Sequence, residues 1–363
     1  MRTLEDARFH CSSCGSCCRG FRFGPIEPEV IERLKAEKVE EHWPPAAEGW
    51  VEELDTPEGT RWMFRNRADG SCVFLQDDNR CAIHARWGAE AKPGFCREFP
   101  FRVLKTGGDT VVSLRGECAG LWHSSLDGET VESQAEAILS LPRVLPIAEH
   151  RPELVALLPG RGVEEPIYAR LEAVFLKMLR GQEPEVGIAA VRDALEAASG
   201  RPLPRVPDVE EPLLHLLGRL EDAMGKAEVE PRWQPWQRRR LSEQRSLLRL
   251  ARKGKVSRLE ADAVAYLDLV QRSSLIARSW ATYGSLAAGL GRLLLDSAVV
   301  RRAGKGKLGA KEVAALHVPY LKAMDHPAAT RVLKDESAAL VALFLGVQGL
   351  VPKPTVAAGE KGP

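Results

Sequence analysis

The chain has 363 residues, with 51 Lys+Arg against 50 Asp+Glu and a formal net charge of +1. So even a balance gives no global sign of a nucleic-acid binder. The N-terminus, MRTLEDARFH, has no apolar signal region, and no run of 18 apolar residues follows, so the expectation is a soluble cytoplasmic protein with no membrane span.

The first informative stretch is HCSSCGSCCRG, which places Cys11, Cys14, Cys17 and Cys18 within eight residues. The other cysteines are Cys72, Cys81, Cys96 and Cys118, so all 8 lie in the first third of the chain. A secreted domain stapled by disulfides is usually short and cysteine-dense throughout. Thiols of a cytoplasmic protein stay reduced, and clustered thiolates repel one another unless a cation holds them. A metal does this and makes the thiolate the stable form. Gly15 and Gly20 let the backbone turn sharply around the knuckle. The competing reading is free buried cysteines acting as small hydrophobes.

Downstream, RWMFRNRADGSCVFLQDDNRCAIHARW reads as short strands and turns, with Cys72 and Cys81 at either end of a tight hairpin. A second hairpin is expected in FPFRVLKTGGDTVVSLRGEC, turning at Gly107-Gly108, with Cys118 just beyond it. Such a knuckle with hairpins carries few apolar residues. A structural thiolate-metal site can supply on the order of 10 kcal/mol of folding free energy to a domain of this kind.

Read together, Cys11, Cys14, Gly15, Cys17 and Cys18, then Cys72, Phe74 and Leu75, then Cys81 and Ile83, then Cys96, Arg97, Phe99, Pro100 and Phe101, and finally Cys118 resemble a family. It is the bacterial cysteine-cluster family described as zinc- or iron-chelating, which includes the flagellin lysine N-methylases. The resemblance covers roughly residues 8 to 120. Near Cys81 it departs from the family pattern: His84 stands at an aromatic position, Arg86 is kept and Pro93 is displaced by an insertion. The resemblance implies a metal or iron-sulfur site, and for the methylase branch a cluster used in modifying lysines of a protein substrate.

Thiolate ligation suits tetrahedral zinc and iron-sulfur clusters alike. The tandem C-x-x-C-x-x-C favours a 4Fe-4S cluster, with zinc as the alternative. Eight thiols allow two four-thiolate sites, or one cluster with spare structural cysteines. His10 and His84 adjoin the set and are candidate substitutes. Arg19, Arg97 and Arg102 lie close in sequence and are either counter-charges to the site or ordinary surface arginines. Phe99-Pro100-Phe101 is expected to pack over the site.

From about residue 128 the apolar period becomes helical. Glu164-Glu165-Pro166 and Glu183-Pro184 are helix starts, and Gly181, Gly200, Gly225 and Gly254 are stops. Further helices are expected over Leu259 to Ser273, Leu275 to Arg302, Lys311 to Met324 and Pro327 to Gly346. The run from Leu275 is the most apolar. Arg278 and Arg292 disqualify it as a membrane span, so it reads as the central helix of a bundle, with Gly284, Ala288 and Gly291 allowing close helix approach. Gly289 and Gly291 lie inside that run and not after a strand, which rules out a nucleotide-binding loop.

The segment Arg232 to Arg258 holds ten Lys or Arg and one Glu, with Trp233 and Trp236 at its start. Leu241, Leu247, Leu248 and Leu250 give it an apolar face. A solvated helix or a surface for an acidic protein partner is therefore favoured over nucleic-acid binding. His123, His150, Glu98 and Glu117 form no recognisable catalytic constellation.

The fold expected is α+β: a small, irregular, metal-bound domain with short hairpins over residues 1–125, an all-helical domain over 128–348 and a disordered tail over 349–363. The function expected is metal or iron-sulfur binding, with lysine N-methylase-like modification of a protein implied by the resemblance alone. The alternative is a structural zinc module on a helical protein-interaction scaffold.

Overall fold

Acid followed by proline opens the first long helices of the second half. Pro166 sits in the first turn of the helix Glu165–Leu179 and Pro184 begins the helix Pro184–Ser199. Carboxylates there meet the positive end of the helix dipole, and proline occupies a position that needs no N–H. Gly200 ends the second helix in the left-handed conformation, φ 62°, which costs glycine little. The computed structural model describes residues 1–56, 59–229 and 234–351.

Helices Glu210–Lys226, Gln234–Lys253, Ala261–Ile276, Leu286–Ala303, Ala310–Met324, Pro327–Asp335 and Ser337–Leu345 complete a bundle around Leu286–Ala303. That helix is buried along nearly its whole length. Its glycines permit the packing: a Cβ on Gly291 would lie 1.8 Å from the Leu340 carbonyl oxygen, and one on Gly289 would lie 1.9 Å from Trp280 Cβ. Close helix approach is therefore present at Gly291, as expected.

Some expected helices are broken. The run Leu275 to Arg302 is not one helix. One helix ends at Ile276, Arg278 turns left-handed at φ 49°, a 3-10 turn spans Ser279–Tyr283, and Gly284 follows at φ 86°. Ser285 then caps the next helix by accepting from the Ala288 N–H at 3.2 Å. A serine cap beside a glycine defines a helix start more strongly than apolar periodicity can override. The run Pro327 to Gly346 is likewise two helices, parted at Glu336. Short strands stand in the part read as helical: Ala148–His150, Val155–Leu158 and Arg161–Val163, with the two-residue strands Glu129–Thr130, Arg258–Leu259 and Lys307–Leu308. Leu250 is exposed at 57%, while Leu241, Leu247 and Leu248 are buried as expected.

The N-terminal third is less regular, and the architecture as a whole is α+β. Its hairpin Phe101–Thr106 with Asp109–Leu114 pairs in full register from Phe101↔Leu114 to Thr106↔Asp109, turning at Gly107 and Gly108 as predicted. Ala148–His150 joins its edge in parallel. A second hairpin pairs Val51–Thr56 with Gly59–Phe64. Between Cys72 and Cys81 there is a tight turn closed by the single bridge Leu75↔Cys81, and Ala82–Trp87 is helical, so the strands expected there are reduced to bridges.

The apolar core has three parts. One fills the helical bundle. One is shared between the 101–114 hairpin and the helices, bringing Phe101 and Val111 together with Tyr266, Val300 and Val313. The smallest belongs to the N-terminal region itself, around Phe23, Ile26, Trp50, Phe74 and Ile83. Among the described residues no helix is long and apolar enough to cross a membrane. Of the expected tail 349–363, Gly349 ends a 3-10 turn and Leu350 and Val351 pack against the bundle core; the rest, from residue 352 onward, and Arg232 and Trp233 lie outside the described residues.

Candidate metal centre

The knuckle is shaped by backbone. Gly15 at φ 67° leads into a 3-10 turn, Ser16–Cys18, closed by the Cys18 N–H donating to the Gly15 carbonyl. The chain then runs beside residues 70–72: Gly20 N–H donates to the Gly70 carbonyl, and Cys72 N–H donates to the Cys18 carbonyl at 2.8 Å. Asp69 holds this second strand in a turn by accepting from Ser71 N–H at 2.9 Å. Cys18 and Cys72 are thus neighbours by main-chain pairing. Cys81 precedes the helix Ala82–Trp87, and Cys96 sits in the helix Gly94–Glu98, anchored where Gly94 N–H donates to Glu27 Oε1. Cys118 is buried just beyond the hairpin. A Cβ on Gly120 would lie 3.7 Å from Cys118 Sγ and 3.1 Å from Ser12 Oγ, so Cys118 neighbours the first loop of the knuckle.

All eight cysteines are free thiols: Cys72 and Cys118 are buried, Cys17, Cys18, Cys81 and Cys96 half-buried, and Cys11 and Cys14 exposed. Cys17 Sγ and Cys18 Sγ stand 3.8 Å apart. The Cys18 hydrogen bond, with Lys92 and Lys322 nearby, brings the Cys17 thiol down to about 6. The same bond, burial and the neighbouring Cys17, Cys72 and Cys96 push Cys18 up. Burial pushes Cys72 up to about 12, aided by Cys81 and Cys17. Burial also pushes Cys96 well up, with Cys72, Cys81 and Cys17 adding to it despite Lys92. For Cys118 burial again leads, and the repelling thiols are Cys17, Cys14 and Cys11. The repulsions fall into two groups that meet at the adjacent pair Cys17-Cys18. Such an assembly resists ionisation without a cation and becomes favourable with one.

Chemically, the donor set fits a thiolate-held metal. The present side-chain positions do not yet close a site: among the described residues no group of three or more His, Cys, Asp or Glu is arranged to hold a metal ion. Neither histidine is turned to the task. His10 Nδ1 lies 3.4 Å from Asp127 Oδ1, and His84 is exposed on its helix.

The arginines nearest in sequence are engaged elsewhere. Arg19 donates to Asn79, Arg97 to Glu90 and Arg102 to Ser279. The cations facing the thiols are two lysines, Lys92 and Lys322, that no motif singles out. Burial works against the Lys92 ammonium, but Cys96, Cys81, Cys17 and Cys18 together push its pKa up. Lys322, 8% exposed on the helix Ala310–Met324, donates to the Ser16 carbonyl at 2.5 Å, to Ser16 Oγ at 3.2 Å and to the Arg19 carbonyl at 3.1 Å. Its Nζ also sits 4.5 Å from the Phe21 ring centroid, and Phe21 packs edge-on against Phe99. Burial and Arg240 push Lys322 down to about 8 against the pull of the thiols. Phe99 therefore packs beside the knuckle, whereas Phe101 turns into the hairpin core against Phe9. Glu98 and Glu117, which formed no catalytic constellation in the sequence, go separate ways: Glu98 pairs with Arg143 at 2.8 Å, and Glu117 lines a separate cavity.

Residues 10–119 match the CxxCxxCC family model, described as a putative zinc- or iron-chelating domain. The match supports chelation and carries no statement about methylation. Among curated proteins, the uncharacterized protein MJ0939 of Methanocaldococcus jannaschii is 26% identical over 142 residues, covering 38% of this chain and 46% of its own length. The chain thus spans about half of that relative. No solved structure matches the chain.

Proposed function

We propose that the protein is a metal-binding protein with two adjoining four-thiolate sites, Cys11, Cys14, Cys17 and Cys118 in one and Cys18, Cys72, Cys81 and Cys96 in the other. The observation that carries this reading is geometric: Cys72 N–H donates to the Cys18 carbonyl at 2.8 Å, and a Cβ on Gly120 would lie 3.1 Å from Ser12 Oγ and 3.7 Å from Cys118 Sγ, which sets Cys118 beside the first loop of the knuckle. The repulsions among the thiols agree in part: Cys118 is opposed by Cys17, Cys14 and Cys11, and Cys72, Cys81 and Cys96 oppose one another, while Cys17 acts on both groups. Lys92 and Lys322 offset charge at the thiolates. The Lys322 bonds also fix the knuckle against the helical half.

The tandem C-x-x-C-x-x-C favours iron-sulfur occupancy, and the all-thiolate donor set accommodates zinc equally well. Anaerobic purification, a visible spectrum and metal analysis on one sample decide between them. Broad absorbance near 400 nm with iron and acid-labile sulfide supports the cluster. A featureless spectrum with zinc overturns it. Cys72→Ser with Cys96→Ser is expected to remove about half of the bound metal and leave the rest, and complete loss would overturn the two-site division.

A further inference from the structure

Where the helices Ala261–Ile276, Leu286–Ala303 and Ala310–Met324 meet the chain just past the 101–114 hairpin, they surround a cavity of about 400 Å³. Its volume lies in the range of small-molecule sites. One charged pair in its wall is closed: Arg292 Nε donates to Asp296 at 2.6 Å and Nη1 to the Tyr283 hydroxyl at 2.9 Å. Four other charged side chains line the cavity, namely Arg102, Arg115, Glu117 and Asp325. Among the described residues none of the four forms an ion pair, and Arg102 donates instead to the Ser279 hydroxyl.

They are nevertheless close enough to act on one another. Burial and then Arg102 push the Arg115 guanidinium down. Burial and then Glu117 push Asp325 up to about 6, although the residue as a whole is exposed to solvent. Glu117 and Asp325 draw Arg115 the other way, and Arg102, Arg115 and Arg292 do the same for Asp325, so two cations and two carboxylates share one wall within reach of one another with no cross-pair closed. His317 adds a polar atom that lacks a partner. It is 2% exposed and lines the same cavity, its Nδ1 is 3.5 Å from the Tyr266 hydroxyl, and its Nε2 has no hydrogen bond. A buried polar atom left so destabilises the fold unless something meets it.

A purely anionic ligand would leave the two carboxylates without a partner, and a cation would leave the two arginines without one. A molecule carrying both charges pairs with both. We propose that this cavity binds a small zwitterion of the free α-amino-acid class, its carboxylate met by Arg102 and Arg115 and its ammonium by Glu117 and Asp325. The apolar wall around Val270, Leu290 and Leu321 takes the side chain, and His317 Nε2 is placed to hydrogen-bond the ligand. The proposal does not depend on which metal the thiols hold.

The test is isothermal titration of the full-length, metal-loaded protein with each standard amino acid. The matched probes are the N-acetyl and amide derivatives of any that bind, inorganic phosphate, and a dipeptide. The expected result is at least one free amino acid with Kd below about 1 mM, its acetyl and amide forms weaker by about tenfold or more. Asp325→Asn, at a water-reached position, and Arg115→Met are each expected to weaken that binding by about tenfold or more without lowering the melting temperature. Should Arg115→Met fail to fold, Asp325→Asn gives the reading alone. Equal binding of the acetylated form or of phosphate would show an anion site and overturn the proposal. Preference for the dipeptide, or no amino acid binding below about 1 mM, would overturn it as well.

Discussion

In the helical body, buried charge closes on itself. Arg292 meets Asp296, Arg272 meets Asp268 and Asp6, and Arg301 reaches both Glu183 and Glu185. In the thiol module the buried titratable groups are alike, so packing them raises their mutual repulsion instead of cancelling it. The apolar cores differ in the same sense, one large and continuous through the bundle and one small around Phe74 and Ile83. One region carries its own counter-charges, and in the other Lys92 and Lys322 offset only part of the thiol repulsion, which the proposed metal would complete. The largest expected difference follows. Stripping metal with a strong chelator should melt residues 10–100, whose small core is their own, while the bundle and the 101–114 hairpin that shares its core persist, since a thiolate-metal site supplies on the order of 10 kcal/mol of folding free energy. Hydrogen exchange followed by peptide mass analysis reads this directly. Equal protection of the module with and without metal would erase the contrast.

Next in size are the pairs of the body. Arg301 is 3% exposed, with Nη1 donating to Glu185 at 2.7 Å and Nε to the Ser257 carbonyl at 3.1 Å. Arg301→Met leaves Glu185, itself 4% exposed, buried beside no cation. Breaking one side of such a pair costs about 3–5 kcal/mol. Denaturant melts of the metal-loaded protein should show that loss in the bundle transition, with metal content unchanged. A smaller cost is expected from Gly291→Ala, whose added methyl meets the Leu340 carbonyl oxygen. Forced separation of packed helices costs typically about 1–3 kcal/mol, and Ala288→Gly in the same helix provides a control that adds no bulk.

The two regions were also unequally legible in the sequence. The cysteine pattern was plain because ligand chemistry needs particular residue types at close spacing, and the 101–114 hairpin was plain because Gly107-Gly108 sits between alternating strands. The long helices announced themselves through Glu-Pro starts and a 3.6-residue apolar period. The break at 277–285 was hidden because Ser-Trp-Ala-Thr-Tyr continues an apolar run and only the Gly284-Ser285 pair stops it. Leu250 looked buried because its neighbours Leu247 and Leu248 are, yet its own position on the helix faces water. The cavity draws its four charges from residues 102, 115, 117 and 325, a juxtaposition made by packing and invisible to any local pattern. Lysines carry least signal of all, since the same residue type serves an exposed helix face and a buried anchor.

Lys322 is where the two regions touch most consequentially, and it gives the smallest and sharpest of these effects. Its ammonium makes three bonds to the knuckle, to the Ser16 carbonyl and hydroxyl and to the Arg19 carbonyl. It also lies close enough to the thiols for Cys17, Cys118 and Cys14 to hold its charge against burial. Lys322→Met keeps the length and apolar stem but removes both contributions. Supporting contacts around a metal site are worth about 10–100-fold in affinity, so competition with a graded chelator should show metal leaving the variant at correspondingly lower chelator concentration. Lys322→Arg retains the charge and should recover part of that affinity, although its planar fork does not reproduce the three-bond geometry of the ammonium. If Lys322→Met instead lowers the bundle's melting transition and leaves metal competition unchanged, the lysine belongs to the body alone and the coupling between the regions lies elsewhere.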